Sequence, residues 1–489
     1  MRGKTSKLKN NVDKKSTEYR TGTRLIVLLC VIAALFFFLS VYITYMEFAH
    51  KDDYLNHAAN QRQWVSEQNI LRGDITDRNG VVLAHSQRDN DNNQIRIYDF
   101  KSLYTHIIGY RSRTYGKSQL EFAYNKYLTG MSAESNITNL KGQYSDDKKG
   151  DTVKLTIDND LQLTAKNYMG NKNGAVVAIQ PQTGEILCMY SSPTFDPSSK
   201  NLEKNWDILN ASEDSPFVAR ATSGLYAPGS VFKTILLCAA IDNGYENFTV
   251  TDKGTLEIGD KVFENQNKKA YGEIDLKRAY AVSSNVAFMQ LGLELGVDVI
   301  RDYAKKFGLG IKTNKIEIST QNGNFNYSKR LHDGEIAQMS IGQGETLVTP
   351  YQMALMTAII ANDGINPKPH LVSRVTNQSG VPIEFGASLI PDRVISTETA
   401  KKVQEYMVEV VKSGTGRAAS IYPYDVGGKT GTAENEIDNK EHTWFIGFAP
   451  KDNPTIAIAV LCEYSGGSGS GNAVPVAREI IRKWLSKQK

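Results

Sequence analysis

Pro228-Gly229-Ser230-Val231-Phe232-Lys233-Thr234-Ile235-Leu236-Leu237-Cys238-Ala239-Ala240-Ile241 reads as a helix start followed by an apolar run, and Asn243-Gly244 closes it. Ser230 and Lys233 stand at i and i+3, neighbours on one helix face. A serine hydroxyl is a poor nucleophile until a base takes its proton. A lysine one turn away serves as that base if burial and nearby cations lower its pKa. The first helical N–H groups suit a developing oxyanion. The apolar run buries the helix and holds the nucleophile rigid. Taken alone, the tetrad fits a bland reading better, with Ser230 capping a core helix and Lys233 snorkelling.

Two further triplets follow in order, Ser283-Ser284-Asn285 and Lys429-Thr430-Gly431. Asp275 caps a short helix that ends at the first triplet, and another helix begins after it. Ser283 suits a proton relay between Lys233 and a leaving group, and Asn285 suits a substrate amide. An ordinary helix cap is the alternative. Val426-Gly427-Gly428-Lys429-Thr430-Gly431-Thr432-Ala433 reads as a strand whose glycines admit another backbone or a ligand. Lys429 with Thr430 and Thr432 makes a site for a carboxylate. A Gly-rich edge strand is the alternative. A Walker A loop is excluded, because it needs glycine at position 423, which is proline.

The chain has 489 residues, 40% apolar content and a net charge of +4, which fits a globular protein and no nucleic-acid partner. Arg2, Lys4, Lys7, Lys9, Lys14, Lys15, Arg20 and Arg24 precede an uncharged apolar run over 25–45. About 20 such residues span a bilayer, and a signal-peptide core is shorter, about 7–15. The positive-inside bias puts the N-terminus in the cytoplasm and the rest outside. The four cysteines, Cys30, Cys188, Cys238 and Cys462, show neither metal nor disulfide spacing and read as small hydrophobes. No H-x-x-x-H pattern points to a metal, and no cofactor is implied.

The ordered set S-x-x-K, S-x-N, K-T-G resembles that of penicillin-binding proteins and serine β-lactamases. Over residues 70–485 the chain resembles the class B penicillin-binding proteins, monofunctional peptidoglycan transpeptidases. Arg72-Gly73-Asp74-Ile75-Thr76-Asp77-Arg78-Asn79-Gly80 resembles their opening block, and Gly116, Leu120-Glu121 and Leu128-Thr129-Gly130 the next. Ala178-Ile179-Gln180-Pro181 with Thr183-Gly184-Glu185-Ile186-Leu187 resembles the first hairpin of their catalytic domain. Ser340-Ile341-Gly342-Gln343-Gly344-Glu345 with Val348-Thr349-Pro350 is similar to another block, and Trp444-Phe445-Ile446-Gly447-Phe448-Ala449-Pro450 to the strand after K-T-G. Gln180 and Ser198 stand where the family more often has Asp and Asn.

The resemblance implies a D,D-transpeptidase that is acylated at Ser230 by D-Ala-D-Ala stem peptides and blocked by β-lactams. Lys233 would be the base, and Ser283 and Asn285 would line the second wall. Lys429 with Thr430 and Thr432 would bind the terminal carboxylate, and Gly431 and Trp444 complete the expected substrate-binding set. The oxyanion hole would be the N–H groups of Ser230 and Thr432. Expected partners are stem peptides on lipid-linked glycan strands, a SEDS-type polymerase and divisome proteins, at the plasma membrane. A β-lactamase would need a group activating the deacylating water, and no E-x-x-L-N-like block follows Ser283. A sensor would need a larger membrane or cytoplasmic signalling part than residues 1–23 provide, and a scaffold would tolerate loss of Ser230, Lys233 or Lys429, all of which are present.

Four parts are expected: a basic, disordered tail over 1–23, a transmembrane helix over 24–46, a non-catalytic pedestal or dimerisation-like module over 47–150, and the transpeptidase domain over 151–489. The polar stretch 146–151 is the candidate linker. Arg72, Asp77 and Arg78 are candidates for exposed ion pairs bracing the module. Strands over 175–179, 186–191, 426–432, 444–448 and 455–464, with helices between and a last helix over 474–485, give an α+β class with an antiparallel sheet flanked by helices. The family fold adds that the sheet has five strands and an all-helical subdomain beside it.

Overall fold

The computed structural model describes residues 3–49, 64, 67–132, 149–386, 392–433, 440–466 and 469–488, with the helical backbone alone for 3–21. The chain divides into two units, 1–63 and 64–489.

The described residues of the first unit form one helix, α1 (Gly3–Ala49). Its segment Gly22–Ala49 is long and apolar enough to cross a bilayer. Leu29, Phe36, Phe37 and Phe38 all point outward, so the helix is apolar all round and suits lipid as its surroundings. The tail expected to be disordered continues this helix back to Gly3. Lys, Arg and Glu are good helix formers, and a helix already nucleated by the apolar segment extends without a new nucleus.

Among its described residues the second unit holds two large sheets and three two-stranded ribbons, and the two large sheets frame the site. In chain order their strands are β1 (Ile75–Thr76), β2 (Val82–Arg88), β3 (Gln94–Tyr98), β4 (Thr152–Leu155), β5 (Gly174–Ile179), β6 (Ile186–Ser192), β7 (Val372–Thr376), β8 (Pro382–Phe385), β9 (Gly427–Ala433), β10 (His442–Ala449) and β11 (Ile456–Cys462). The helices that matter are α2 (Asn159–Met169), α3 (Lys233–Asp242), α4 (Leu276–Val282), α5 (Asn285–Leu295), α6 (Pro350–Ala361), α7 (Thr397–Lys412) and α8 (Ala473–Lys487).

The central sheet has the order β9-β10-β11-β5-β6, five strands, antiparallel throughout. Every residue of β5, β6, β10 and β11 is buried, so the sheet is covered on both faces. Helices α2 and α8 pack together and against β6, β10 and β11, while α6 and α7 pack together and against β5, β9, β10 and β11. Thr349 starts α6 with a capping box to Gln352 and Pro350 at its first turn, and all twelve residues of α6 are buried. Cys188, Cys238 and Cys462 are free and buried, as small hydrophobes would be.

The second sheet has the order β8-β7-β4-β1-β2-β3. Strand β4 runs parallel to β1, with Ile75 opposite Val153, and antiparallel to β7, with Leu155 opposite Val372. The boundary expected at 150 is therefore crossed by continuous strand pairing, and residues on both sides of it belong to one compact unit. Local polarity at 146–151 suggested a linker, but Gly150 donates to the Leu71 carbonyl and Asp151 to that of Tyr127. Residues 146–148 lie outside the described residues.

Arg72 is buried and does not brace one module against the other. Its Nε donates to Glu121 Oε2 (2.5 Å), and Arg96 Nε donates to Glu121 Oε1 (2.7 Å). The bracing contacts come from its neighbours. Buried Asp77 accepts from the Asn159 N–H at 3.2 Å, and Arg78 Nη2 donates to Glu185 Oε2 at 3.0 Å.

Burial alone would raise the Glu121 pKa, but the two guanidiniums overcome it and hold the carboxyl down at about 2, from 4.5. Its folded pKa is depressed, so its stabilising contribution is present above pH 4.5 and is lost as pH falls toward 2. Glu121→Ala strands two buried cations and should cost about 3–5 kcal/mol. Urea unfolding of the full chain in detergent checks this, and an unmoved midpoint would contradict it.

Candidate active site

Three segments meet at one edge of the central sheet: the start of α3, the α4–α5 junction and the edge strand β9. The sequence suggests a helix beginning at Ser230. The structure places Ser230 in a 3-10 turn, Gly229–Val231, with α3 starting at Lys233. Tight i to i+3 turns are common at helix starts, and here the Phe232 N–H donates to the Gly229 carbonyl at 3.0 Å. Ser230 is half-buried at this turn.

Two backbones press on the turn. Gly229 has φ +53, and a Cβ there would lie 2.4 Å from the Thr432 carbonyl oxygen. Gly342 has φ +72, and a Cβ there would lie 2.3 Å from the Gly229 carbonyl oxygen. The Gly229 N–H donates to the Gly342 carbonyl at 2.9 Å. The Ser340–Glu345 block thus backs the nucleophile turn, and β9 flanks it.

Lys233 and Lys429 are both fully buried. Lys233 Nζ donates to the Ser283 carbonyl (2.9 Å), to Asn285 Oδ1 (2.8 Å) and to Ser283 Oγ (3.4 Å). Lys429 Nζ donates to Ser283 Oγ (2.8 Å) and to the Thr430 carbonyl (2.9 Å). The Ser283 hydroxyl therefore lies between two lysine nitrogens. Ser283 reaches that place in the left-handed region, with φ +61, where it ends α4. A non-glycine residue there carries strain of about 1–3 kcal/mol, which persists only where its surroundings enforce it.

Burial, and after it the Lys429 charge, push the Lys233 pKa well below the ordinary lysine range, while Asp252 opposes that shift. Burial pushes Lys429 down to about 7. The arrangement supplies an amine three residues after Ser230 whose charged form is disfavoured, a shared hydroxyl and a second amine that changes charge near neutral pH. Those are the parts of a nucleophile, a base and a proton relay.

Thr430 is buried at the strand edge and shares a hydrogen bond with Thr415 Oγ1 (2.6 Å). Thr432 is half-buried, and Gly431 lies opposite Trp444 in the β9–β10 register. Trp444 itself is not at the surface of the site. It is fully buried, and its indole N–H donates to the Ala227 carbonyl at 3.0 Å, fixing the loop before Ser230. Its expected place among the substrate contacts becomes a supporting one.

Sequence reasoning missed Asp252, Asn265 and Thr415. Asp252-Lys253-Gly254 and Asn265-Gln266-Asn267 read as turn formers in hairpins, and nothing local says that they converge behind Asn285.

The penicillin binding protein transpeptidase domain family matches residues 174–482, and the penicillin binding protein A dimerisation domain matches 72–153. The peptidoglycan D,D-transpeptidase MrdA of Acinetobacter baumannii is 32% identical over 81% of this chain and 66% of its own length. The peptidoglycan D,D-transpeptidase PbpA of Mycolicibacterium smegmatis is 32% identical over 86% of this chain and 90% of its own. Among solved structures, the ceftriaxone acyl-enzyme complex of penicillin-binding protein A from M. tuberculosis superposes with a TM-score of 0.80 at 29% identity, covering 86% of this chain and 99% of that one.

The lysine pair predicts a titration. With lysine Cε labelled for NMR, one resonance should titrate near pH 7 and vanish in Lys429→Ala. A Lys429 that titrates above 10 would rule out the buried, desolvated state.

Proposed function

The chain belongs to the penicillin-binding protein transpeptidase family, and on that premise we propose that it is a membrane-anchored peptidoglycan D,D-transpeptidase working through a Ser230 acyl-enzyme. The observation that carries the reading is the Ser283 hydroxyl between Lys233 and Lys429, beside the serine turn.

The proposed acyl donor is a stem peptide ending in D-Ala-D-Ala. Neutral Lys233 takes the Ser230 proton as Oγ attacks the penultimate carbonyl carbon. The oxyanion rests on the N–H groups of Ser230 and Thr432, at the start of a helical turn and on an edge strand. The C–N bond breaks, and the proton passes from Lys233 through Ser283 to the departing D-Ala amine. An amine of a neighbouring stem then attacks the ester, and the same relay returns its proton to Ser230. Asn285 holds the donor amide. Lys429, Thr430 and Thr432 hold the terminal carboxylate, with a charge and two hydroxyls on one strand. A β-lactam enters as a mimic of the donor and stays as the ester.

The basic residues before the apolar segment of α1 support a cytoplasmic N-terminus and an extracytoplasmic catalytic unit. The pedestal carries no nucleophile or base in the proposed scheme. We assign it to setting the height of the site above the membrane and to docking a SEDS-type polymerase or other wall-synthesis proteins. Its polar, specific sequence blocks support that role.

Fluorescent penicillin should label the wild type at Ser230. Ser230→Ala should abolish labelling while the melting curve is kept, and labelling that persists sinks the reading. Lys233→Ala should slow acylation by about 10²–10⁴-fold, the usual cost of losing a general base. Lys429→Ala should slow acylation by anionic β-lactams more than by neutral esters, because a lost charge matters only to a ligand of opposite charge. Equal loss for both classes would make Lys429 structural or part of the relay.

A further inference from the structure

Asp252 ends the strand Thr249–Asp252 and is 1% exposed. A carboxylate so buried needs partners, and it has three. The Gly254 N–H donates to its Oδ1 at 2.7 Å, and Ser284 Oγ donates to its Oδ2 at 2.6 Å. Asn265 Nδ2 lies 2.8 Å from each oxygen. The same Asn265 turns its Oδ1 to the N–H groups of Asn285 (2.7 Å) and Val286 (3.1 Å). Ser284 Oγ also accepts from the Ala287 N–H at 2.9 Å. Three N–H groups at the start of α5 are thus held by two side chains, and Asp252 fixes both.

The first residue of that helix is Asn285. Its Nδ2 donates to the Glu264 carbonyl (2.9 Å), which leaves Oδ1 turned to Lys233 Nζ (2.8 Å). We propose that Asp252 is a positioning residue for Ser230 acylation, acting through Asn265, Ser284 and Asn285, and that its carboxylate sets the charge balance behind Lys233. The inference rests on the acyl-enzyme reading above.

The other charged or titratable groups around this pair are Lys429 from β9, Tyr280 and Arg278 from α4, and Tyr271, Lys269 and the exposed Glu264–Lys268 pair from the hairpins before α4. Lys429 disfavours a charged Lys233, and Asp252 favours it. Removing the carboxylate therefore makes Lys233 easier to deprotonate and moves it to its working form at lower pH.

The test is the pH profile of penicillin acylation for the full chain in detergent micelles. Wild-type labelling lost in Ser230→Ala secures the underlying reading independently. Asp252→Asn should lower the plateau rate about 10-fold or more and shift the acidic limb down by about one pH unit, the size of one nearby charge at an effective dielectric of about 20. Ser284→Ala and Asn265→Ala keep the charge. They should lower the plateau and leave the limb in place. Each variant is first checked for an unchanged near-ultraviolet spectrum. Should Asp252→Asn not fold, the exchange Asp252→Asn with Asn265→Asp keeps one carboxylate and its amide partner, moves the charge onto the Asn285 and Val286 N–H groups, and should move the limb from its wild-type position. Folded variants whose limbs all coincide with the wild type, or whose plateaus are unchanged, overturn the proposal.

Discussion

The site depends on two lysine nitrogens sharing one serine hydroxyl where water is excluded. In water two ammonium groups coexist easily. In a buried site each loses hydration, and their repulsion is several times stronger. The outcome is that the pair does not hold two full charges near neutral pH. Lys233, which also faces Asn285 Oδ1, is pushed well down, and Lys429 sits at about 7. Lys233 becomes available as a base first because it is buried and then because a second amine stands beside it. The shared Ser283 hydroxyl links them without a movement of either chain.

That geometry is held by backbone rather than by side-chain packing alone. Ser283 occupies a left-handed conformation that its own chemistry does not favour. The Ser284 cap on one side and the end of α4 on the other leave it no alternative. Across the site, Gly229 and Gly342 let three backbones pass within a distance that no Cβ permits. The Trp444 indole pins the preceding loop to β10. The nucleophile turn is therefore registered against β9, the strand that carries Lys429, and cannot drift from it.

Much of this was legible in the chain. The three motifs mark the three segments that meet, and the five strands of the central sheet begin and end within about two residues of their expected bounds. What local sequence could not show is convergence. Asp252 and Asn265 look like hairpin turn residues because that is their local role, and their second role exists only where the hairpins dock on α5. Trp444 misled for a related reason. A strand buried on both faces has no polar alternation, so its sequence does not say which side chain faces the ligand. The helical tail escaped because charge density suggests solvent, while helix continuation needs only good helix formers and a nucleus next door.

The crossing of the expected 150 boundary changes what the pedestal can be. A module joined by a flexible linker would place the site at a variable height. Here β1 pairs with β4, β4 with β7, and α2 follows β4 directly and packs on β6 and α8. Asp77 holds the N-terminus of α2, and Arg78 reaches Glu185 at the β5–β6 turn. These contacts are individually small, since a partly exposed pair such as Arg78–Glu185 contributes about 0–1 kcal/mol. Strand pairing with a shared core is not small, because opening it would expose Ile75, Val153, Leu155 and Val372 together, all buried. The described residues 67–132 are therefore one compact unit with the catalytic body, joined to it by strand pairing and a shared core.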